Sequence, residues 1–227
     1  MNYSLNILYE DNDILVCHKP AGLATESASV RSKDLVDLVR EHLTHNGVIN
    51  PFIGLVHRLD LPVAGILVIA KNKEAAATLS RQVQTESMGK IYVATVQGHI
   101  TPDVVPDDDG SYIIKDYLVK DSKSNKAMIV GKDQKGPDGK PAKEATLKLT
   151  VLSYDDENNT SLVKIQLLTG RFHQIRAQLA NLGHPILYDV KYGADLATHN
   201  RPDGIALCAS ELHFRHPTTR KDMKFTI

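Results

Sequence analysis

The stretch VHRLDLPVAGILVIAKN, residues 56 to 72, places a His, an Arg and an Asp inside an apolar run. Its second half, Ile66 to Ala70, is compact and apolar and predicts a buried strand. Asp60 comes shortly before it, and because burying an isolated carboxylate is costly, this residue needs solvent or a partner. An Asp close to a Pro and a Gly is also typical of a turn residue that bonds its own backbone. Both interpretations of Asp60 stay open at this point.

Two strands and a helix are predicted before this stretch, and a second helix directly after it. The apolar runs Leu5 to Tyr9 and Ile14 to His18 predict a hairpin. Helical spacing predicts one helix capped by Ser32 that ends near His45, and another capped by Asn72 that ends near Ser87.

On the carboxyl-terminal side, strands predominate. Tyr92 to Val96 predicts a strand, and the alternating segments 147 to 151 and 163 to 167 predict a second hairpin. Residues 131 to 144 are rich in Gly, Pro, Lys and Asp, which predicts a surface loop. Phe172 to Leu182 has helical character and ends at a Gly.

The bulk composition limits the classes of protein. The chain has 227 residues, and its 27 Lys and Arg balance its 27 Asp and Glu. We therefore expect one domain without a global field toward nucleic acid, so any polyanion must meet a local basic patch. Cys17 and Cys208 lie in apolar runs and predict reduced thiols in the cytoplasm. No secretory or membrane-spanning pattern is visible, so no membrane partner is expected.

A second charged group follows in TGRFHQIRAQLANLGHP, residues 169 to 185. On a helical wheel Arg176 lies about 60° from Leu179, at the edge of the core-facing stripe. A guanidinium there needs an anion, and Asp60 is the obvious candidate. A purely structural ion pair, or an Arg that reaches solvent, is equally compatible with the pattern. Arg171 and His173, near the helix start, are candidates to meet a phosphate.

Other chemical motifs are weak. His42 and His45 share a helix but have no further ligand set, so no metal site is predicted. Nucleotide-binding loops and a carboxylate pair suited to glycoside hydrolysis are not recognisable.

Five segments, in order, resemble the RluA family of RNA pseudouridine synthases. They are ILYEDNDILVCHKPAG, VHRLDLPVAGILVIAKN, GKIYVATVQG, LLTGRFHQIRAQLANLGHPILYDVKYG and ALCASELHFRHP. The resemblance implies an α+β fold with a mixed, largely antiparallel central sheet and flanking helices. It implies one catalytic domain over residues 1–227, without the RNA-binding module that many relatives carry.

The implied activity is isomerisation of uridine to pseudouridine in ribosomal or transfer RNA, without metal or other cofactor. Asp60 takes the place of the family's catalytic aspartate, Tyr92 that of its active-site tyrosine, and Arg176 that of the arginine that pairs with the aspartate. Arg58 matches the residue that enters the RNA as the target uridine leaves the stack. A cytoplasmic monomer without an obligate protein partner is expected.

Seven further residues of these segments are candidates for binding RNA. They are Lys19, His57, Lys71, Lys90, Arg171, His173 and Leu207. The four cations Lys19, Lys71, Lys90 and Arg171 are expected to line a basic cleft.

The chain departs from the family pattern at Val63-Ala64, Tyr188 and Cys208, which bears on the shape of the pocket and hence on the substrate. Two other functions remain open. The chain could be an RNA-binding or RNA-folding factor that has lost catalysis, or a nucleoside hydrolase that releases free uracil. The retention of Asp60, Tyr92 and Arg176 argues against the first alternative. The lack of an obvious second acid to activate water argues against the second.

Overall fold

The structure is a computed structural model that describes residues 3–27, 33–194 and 203–227. The chain divides into two compact units: residues 1–90 with 208–227 form the first unit, and residues 91–207 form the second. Asp60 belongs to the first unit, whereas Tyr92 and Arg176 belong to the second. The expectation that residues 1–227 form one catalytic domain stays a prediction.

The described residues form strands and helices with the following bounds. In chain order they are β1 (Asn6–Glu10), β2 (Ile14–Lys19), α1 (Leu35–His45), β3 (Gly54–Leu55), β4 (Ala64–Ala70), α2 (Lys73–Gln84), β5 (Gly89–Gln97), β6 (Tyr112–Asp121), β7 (Lys126–Val130), β8 (Lys143–Asp155), β9 (Thr160–Leu167), α3 (Gln174–Asn181), a 3-10 turn (Val190–Tyr192), β10 (Leu207–Arg215) and β11 (Asp222–Thr226). Most pairs are antiparallel and β4 with β10 is parallel, so the α+β class with a mixed, largely antiparallel sheet is confirmed.

The strands of the first unit surround the stretch that contains Asp60. β4 pairs antiparallel with β2 on one side and parallel with β10 on the other, while β1 extends β2 and β11 extends β10. As the apolar run predicts, Ile66 to Ala70 are almost completely buried. The core joins this strand to α2 and β10 through buried side chains such as Leu79, Met88, Leu212 and Phe214.

The two predicted helices of the first unit are present. Asn72 caps α2, since its side chain accepts a hydrogen bond from the Ala75 amide, as the pattern predicts. For α1 the prediction of the cap is wrong: Asp34 is the cap, in a reciprocal capping box with Asp37. Ser32 itself lies outside the described residues.

The strands of the second unit pair antiparallel in the order β5, β9, β8, β6 and β7, in which the hairpins β6–β7 and β8–β9 lie side by side. The predicted hairpin is confirmed as β8 and β9, while β6 and β7 were not predicted. Residues 131–142 lie outside the named strands and are largely exposed. The predicted loop is two residues too long, because β8 already begins at Lys143 and pairs there with Leu118.

Helix α3 is shorter than predicted. It covers Gln174–Asn181 rather than Phe172 to Leu182. His173 has a left-handed backbone, with a φ of 50°, and therefore cannot be a helical residue. The consequence is a tight turn directly before the helix that carries Arg176.

Gly65, five residues after Asp60, has a φ of +136°, and a Cβ atom there would lie 2.5 Å from the Ala209 backbone. The parallel pairing of β4 with β10 therefore depends on glycine at this position. We expect Gly65→Ala to lower the free energy of unfolding by about 3 kcal/mol, from steric overlap and backbone strain together. Urea denaturation measures this change.

Gly47→Ala is the matched control, because Gly47 also has a positive φ, of +85°, but a methyl group added there would meet no other atom within 4 Å. It should cost only about 1 kcal/mol. Equal losses for the two variants would mean that the close approach to Ala209 contributes nothing.

Candidate active site and RNA-binding residues

Asp60 opens the turn that leads into β4. Its carbonyl accepts a hydrogen bond from the Val63 amide at 3.0 Å, and its side chain is half-buried. Asp60 is therefore a turn residue, as one interpretation of the sequence holds. The bond uses the backbone of Asp60 and leaves a chemical role for its carboxylate open.

Both chain neighbours of Asp60 are held by residues at the end of β2 and in the segment that follows it. Thr25 Oγ1 donates to the Leu59 carbonyl at 2.9 Å, and the Leu59 amide donates back to Thr25 Oγ1 at 3.2 Å. On the other side, the Leu61 carbonyl accepts from the Gly22 amide at 2.9 Å and from Lys19 Nζ at 3.4 Å. Since Leu59 and Thr25 are buried, these bonds have little competition from water. The position of Asp60 is thus fixed from both sides.

Lys19 has no exposed surface, and its ammonium group also donates to the carbonyls of Leu23 at 2.6 Å and Pro20 at 2.9 Å. Burial lowers the pKa of Lys19 to about 8, and the nearby charge of Asp60 partly opposes this shift. The ammonium group is therefore close enough to the Asp60 carboxylate to interact with it electrostatically. The expected contact of Lys19 with RNA stays a prediction, and its burial argues against it.

His57 accepts a hydrogen bond at Nε2 from the Val68 amide at 3.1 Å. Burial, assisted by the charge of Lys90, lowers the pKa of His57 to about 3. Burial also lowers the pKa of Lys90. His57 is therefore neutral at physiological pH, and it holds the start of the Asp60 loop against β4 rather than offering a cation to phosphate.

Arg58, one residue further, is the exposed cation of this loop. Its side chain is 70% exposed, and Nη1 lies 3.6 Å from Glu26 Oε2. Such an exposed ion pair contributes little and exchanges partners easily. Arg58 is therefore able to turn toward a polyanion.

Lys71 belongs to a separate cluster at the β1–β2 hairpin. Its Nζ donates to Glu10 Oε1 at 2.7 Å and to the Asp11 carbonyl at 2.5 Å, and His42 bonds Glu10 at 2.7 Å. Burial raises the pKa of Glu10, but the bonds from Lys71 and His42 outweigh it and the pKa is lowered. These contacts stabilise the hairpin and do not favour the expected RNA contact of Lys71.

In the second unit, Tyr92 and Leu207 are both buried, with 7% and 5% of their surface exposed. Tyr92 lies on β5 opposite Ile165, and Leu207 begins β10. The expected roles of both in binding the target base stay predictions.

Arg176 is buried and makes a bidentate ion pair with Asp189. Its Nε lies 2.7 Å from Asp189 Oδ2 and its Nη2 lies 2.8 Å from Asp189 Oδ1. Only 4% of Arg176 and 1% of Asp189 are exposed. Two parallel bonds fix the plane of the guanidinium. The expected pairing of Arg176 with Asp60 stays a prediction.

Tyr192 supports the same group from its ring face, with the Arg176 Cζ atom 5.0 Å from the ring centroid. Its hydroxyl accepts from the Ala127 amide at 2.7 Å and lies 2.9 Å from His173 Nδ1. His173 in turn stacks on Phe172, with the ring centroids 3.8 Å apart. The left-handed turn before α3 is thereby linked to the arginine that α3 carries.

Sequence reasoning missed Asp189, Tyr192 and Thr25. Asp189 follows Arg176 by thirteen residues. It lies outside α3, so helical spacing gives no signal for the pair. The available signal was the wheel position of Arg176 at the edge of the core-facing stripe, where a guanidinium needs an anion.

Among the described residues, ligand atoms of Asp11, Asp13 and His216 lie within 4.8 Å of one another. The Asp11 carboxylate already accepts from Tyr9, His216 and the amides of Asp13 and Ile14. These bonds account for the cluster without a metal ion. Within the same described ranges, no helix combines the length and the apolar character that crossing a bilayer requires.

The fold is that of pseudouridylate synthase domains. The solved structure of human RNA pseudouridylate synthase domain containing 1 is similar, with a TM-score of 0.76, 25% identity, and coverage of 99% of this chain and 83% of that chain. The family model for RNA pseudouridylate synthase matches residues 13–181. The chain belongs to this family of RNA-acting isomerases, which confirms the resemblance found in the sequence.

Curated bacterial relatives of this chain are also named as RNA pseudouridine synthases. An uncharacterised RNA pseudouridine synthase of Aquifex aeolicus is 35% identical over 100% of this chain and 70% of its own length. One of Mycoplasma pneumoniae is 35% identical over 99% of this chain and 66% of its length. Ribosomal large subunit pseudouridine synthase C of Buchnera aphidicola is 30% identical over 96% of this chain and 66% of its own length. The chain thus spans about two thirds of the length of these relatives.

The buried ammonium of Lys19 gives a test by pH. Since its pKa is about 8 in the folded chain and that of a free lysine is 10.5, the unfolded state binds more protons between these values. The Lys19 contribution to stability must therefore rise with pH across this window. We expect the difference in unfolding free energy, wild type minus Lys19→Met, to increase by about 3 kcal/mol from pH 8 to pH 10.5.

Chemical denaturation of both proteins at a series of pH values measures this difference, and groups that titrate alike in the two proteins cancel. A difference that stays constant or falls over the window would contradict a lowered pKa at Lys19.

Proposed function

We propose that the chain isomerises uridine to pseudouridine in RNA, with Asp60 as the nucleophile. The observation that carries this proposal is the half-buried Asp60 in a turn whose two neighbouring residues are pinned by Thr25, Gly22 and Lys19. A carboxylate held in this way can meet a substrate without the entropy cost of ordering a flexible loop.

The reaction breaks the bond between the ribose and nitrogen 1 of uracil, turns the base, and joins carbon 5 to the ribose. No group is gained or lost and no electrons are transferred overall, so a single nucleophilic carboxylate is enough to begin. The proton that leaves carbon 5 returns to the base or to solvent. Tyr92 is the proposed residue that takes or relays this proton, or holds the base by stacking.

A carboxylate nucleophile is stabilised by neighbouring cations. Lys19 is the proposed first cation, since it interacts electrostatically with Asp60 within the first unit. Arg176 is the proposed second cation. Its bidentate bond to Asp189 sets the plane of the guanidinium, which makes Asp189 the proposed positioning residue.

A stacked uridine is out of reach of any active site and must leave the RNA helix, at a cost of a few kcal/mol. Arg58 is the proposed residue that fills the vacated space, because it is exposed and only weakly paired. A guanidinium plane both stacks on bases and binds phosphate.

We further propose ribosomal RNA as the substrate, because the named relative from Buchnera aphidicola is a ribosomal large subunit enzyme. Transfer RNA is the alternative substrate. The monomeric state and the cytoplasmic location are part of the proposal and have their basis in the sequence.

We expect Asp60→Ala to abolish pseudouridine formation, with a loss of at least about 1000-fold in rate, because the nucleophile is removed. The measurement is pseudouridine mapping of total RNA from cells that carry the wild type, the variant or no copy of the gene. Asp108→Ala is the matched control, since it removes an exposed carboxylate from a loop of the second unit.

The alternatives give different results in the same experiment. Equal pseudouridine at every site in the wild-type and Asp60→Ala cells would favour an RNA-binding factor. Release of free uracil from RNA by the purified wild type would favour a hydrolase.

We expect Asp189→Asn to lower kcat at least tenfold while the KM for RNA changes less than about twofold, because Arg176 loses the bond that orients it. Single-site modification kinetics at 15 °C, well below unfolding, separate the two constants. Asp116→Asn is the control: Asp116 accepts from Gln178 at 2.8 Å, so the same chemical change disturbs α3 without touching Arg176.

Equal losses of kcat in Asp189→Asn and Asp116→Asn would mean that Asp189 only stabilises α3 and does not orient Arg176 for catalysis.

A further inference from the structure

A basic pocket lies in the second unit, next to the turn that precedes α3. Its volume is about 370 Å³, and its charged lining residues are Lys120, Lys140, Lys143, Arg171 and Asp138. Four cations face one carboxylate, which leaves a formal charge of +3. The pocket therefore has a local excess of positive charge in a chain whose net charge is zero.

The acidic residues near the pocket are already engaged. Asp138 accepts from the Lys140 amide at 3.1 Å and pairs with Lys140 Nζ at 3.1 Å, and these bonds lower its pKa. Glu144, on β8, pairs with Lys115 at 2.8 Å. In the described parts of the chain no carboxylate pairs with Lys120 or Lys143, and both are exposed. These two ammonium groups remain able to bind an anion.

The contacts of Arg171 and Phe172 determine which part of a nucleic acid, the phosphate or the base, this pocket can bind. Arg171 uses Nε to bind the Glu144 carbonyl at 2.7 Å, which fixes its stem and leaves its terminal nitrogens for a further acceptor. The Phe172 ring stacks on His173 and has Lys120 Nζ 4.4 Å from its centroid. A ring engaged in this way is a poor platform for a base, so the pocket suits phosphate oxygens rather than a stacked nucleobase.

We propose that this basic pocket binds the phosphodiester backbone of the RNA on the strand next to the target uridine. This inference rests on the proposed function and adds a second contact region to it. Arg171 lies in the turn that begins α3, five residues before Arg176, so a phosphate held here positions the strand relative to the proposed catalytic arginine. The contact is electrostatic and independent of sequence.

The test measures RNA binding without turnover, in full-length Asp60→Ala protein. The probe is a fluorescein-labelled 20-nucleotide oligouridylate, and fluorescence anisotropy is recorded from 50 to 400 mM KCl. We expect the triple change K120Q/K140Q/K143Q to raise Kd at least about tenfold at 100 mM KCl. The slope of log K against log salt should become less steep by about 2, because each lost phosphate contact of a single strand contributes about 0.7.

K73Q/K164Q/K221Q is the matched control, since it removes the same charge from exposed positions outside the pocket, on α2, on β9 and before β11. Its salt slope should stay within about 0.5 of the starting value. Asp138→Asn changes the pocket in the opposite direction and keeps an acceptor for the Lys140 amide, so Kd should fall by about threefold. Thermal unfolding of each variant shows whether it remains folded.

Two results would overturn the proposal. One is a salt slope for K120Q/K140Q/K143Q equal to that of the control. The other is binding of a labelled 20-residue polyglutamate as tight as that of the oligouridylate, which would make the pocket a site for acidic protein segments. Both results are independent of catalysis, which is tested separately by pseudouridine mapping with Asp60→Ala. A failure of this inference is therefore distinguishable from a failure of the proposed function.

Discussion

The loop that carries Asp60 depends on one buried ammonium group, that of Lys19. The Leu61 carbonyl of this loop accepts from Lys19 Nζ, and the same ammonium group donates to the carbonyls of Pro20 and Leu23 in the segment that follows β2. One buried group thereby connects the two segments. It also interacts electrostatically with Asp60, the residue next to Leu61.

In the second unit, the position of Arg176 depends on its buried ion pair with Asp189. Removing either partner would leave a buried charge without compensation, which costs about 3–5 kcal/mol in comparable pairs. Tyr188, directly before Asp189, has a φ of 69°, a conformation that favours glycine. Tyrosine here carries a strain of about 1 kcal/mol, and the two bonds to Arg176 hold Asp189 in place despite it.

The sequence was sufficient for the elements with a clear period and for the chemistry of the motifs. β4, α2 and the β8–β9 hairpin follow from apolar spacing alone. The wheel placed Arg176 at the edge of the core-facing stripe and left a solvent-exposed guanidinium open, whereas the residue is buried. The start of α3 was missed because no propensity marks His173 as left-handed. The partner Asp189 was missed because tertiary pairing has no period. The RNA contact expected of Lys19 stays a prediction, and the carbonyls that surround its ammonium group could not be read from the motif.

The cations of this chain fall into two kinds, and the difference is physical. Lys19 and Lys71 bind backbone carbonyls or carboxylates at 2.5 to 2.9 Å, and neither can turn to a phosphate without leaving those acceptors unsatisfied. Lys120 and Lys143 are exposed and lose little when they bind an anion. In a chain of zero net charge, affinity for a polyanion must come from cations of the second kind. The motifs contain cations of both kinds, with Lys19 and Lys71 engaged and Arg58 exposed, while Lys120 and Lys143 lie outside the motifs. The RNA-binding surface is therefore expected to extend beyond the motif residues.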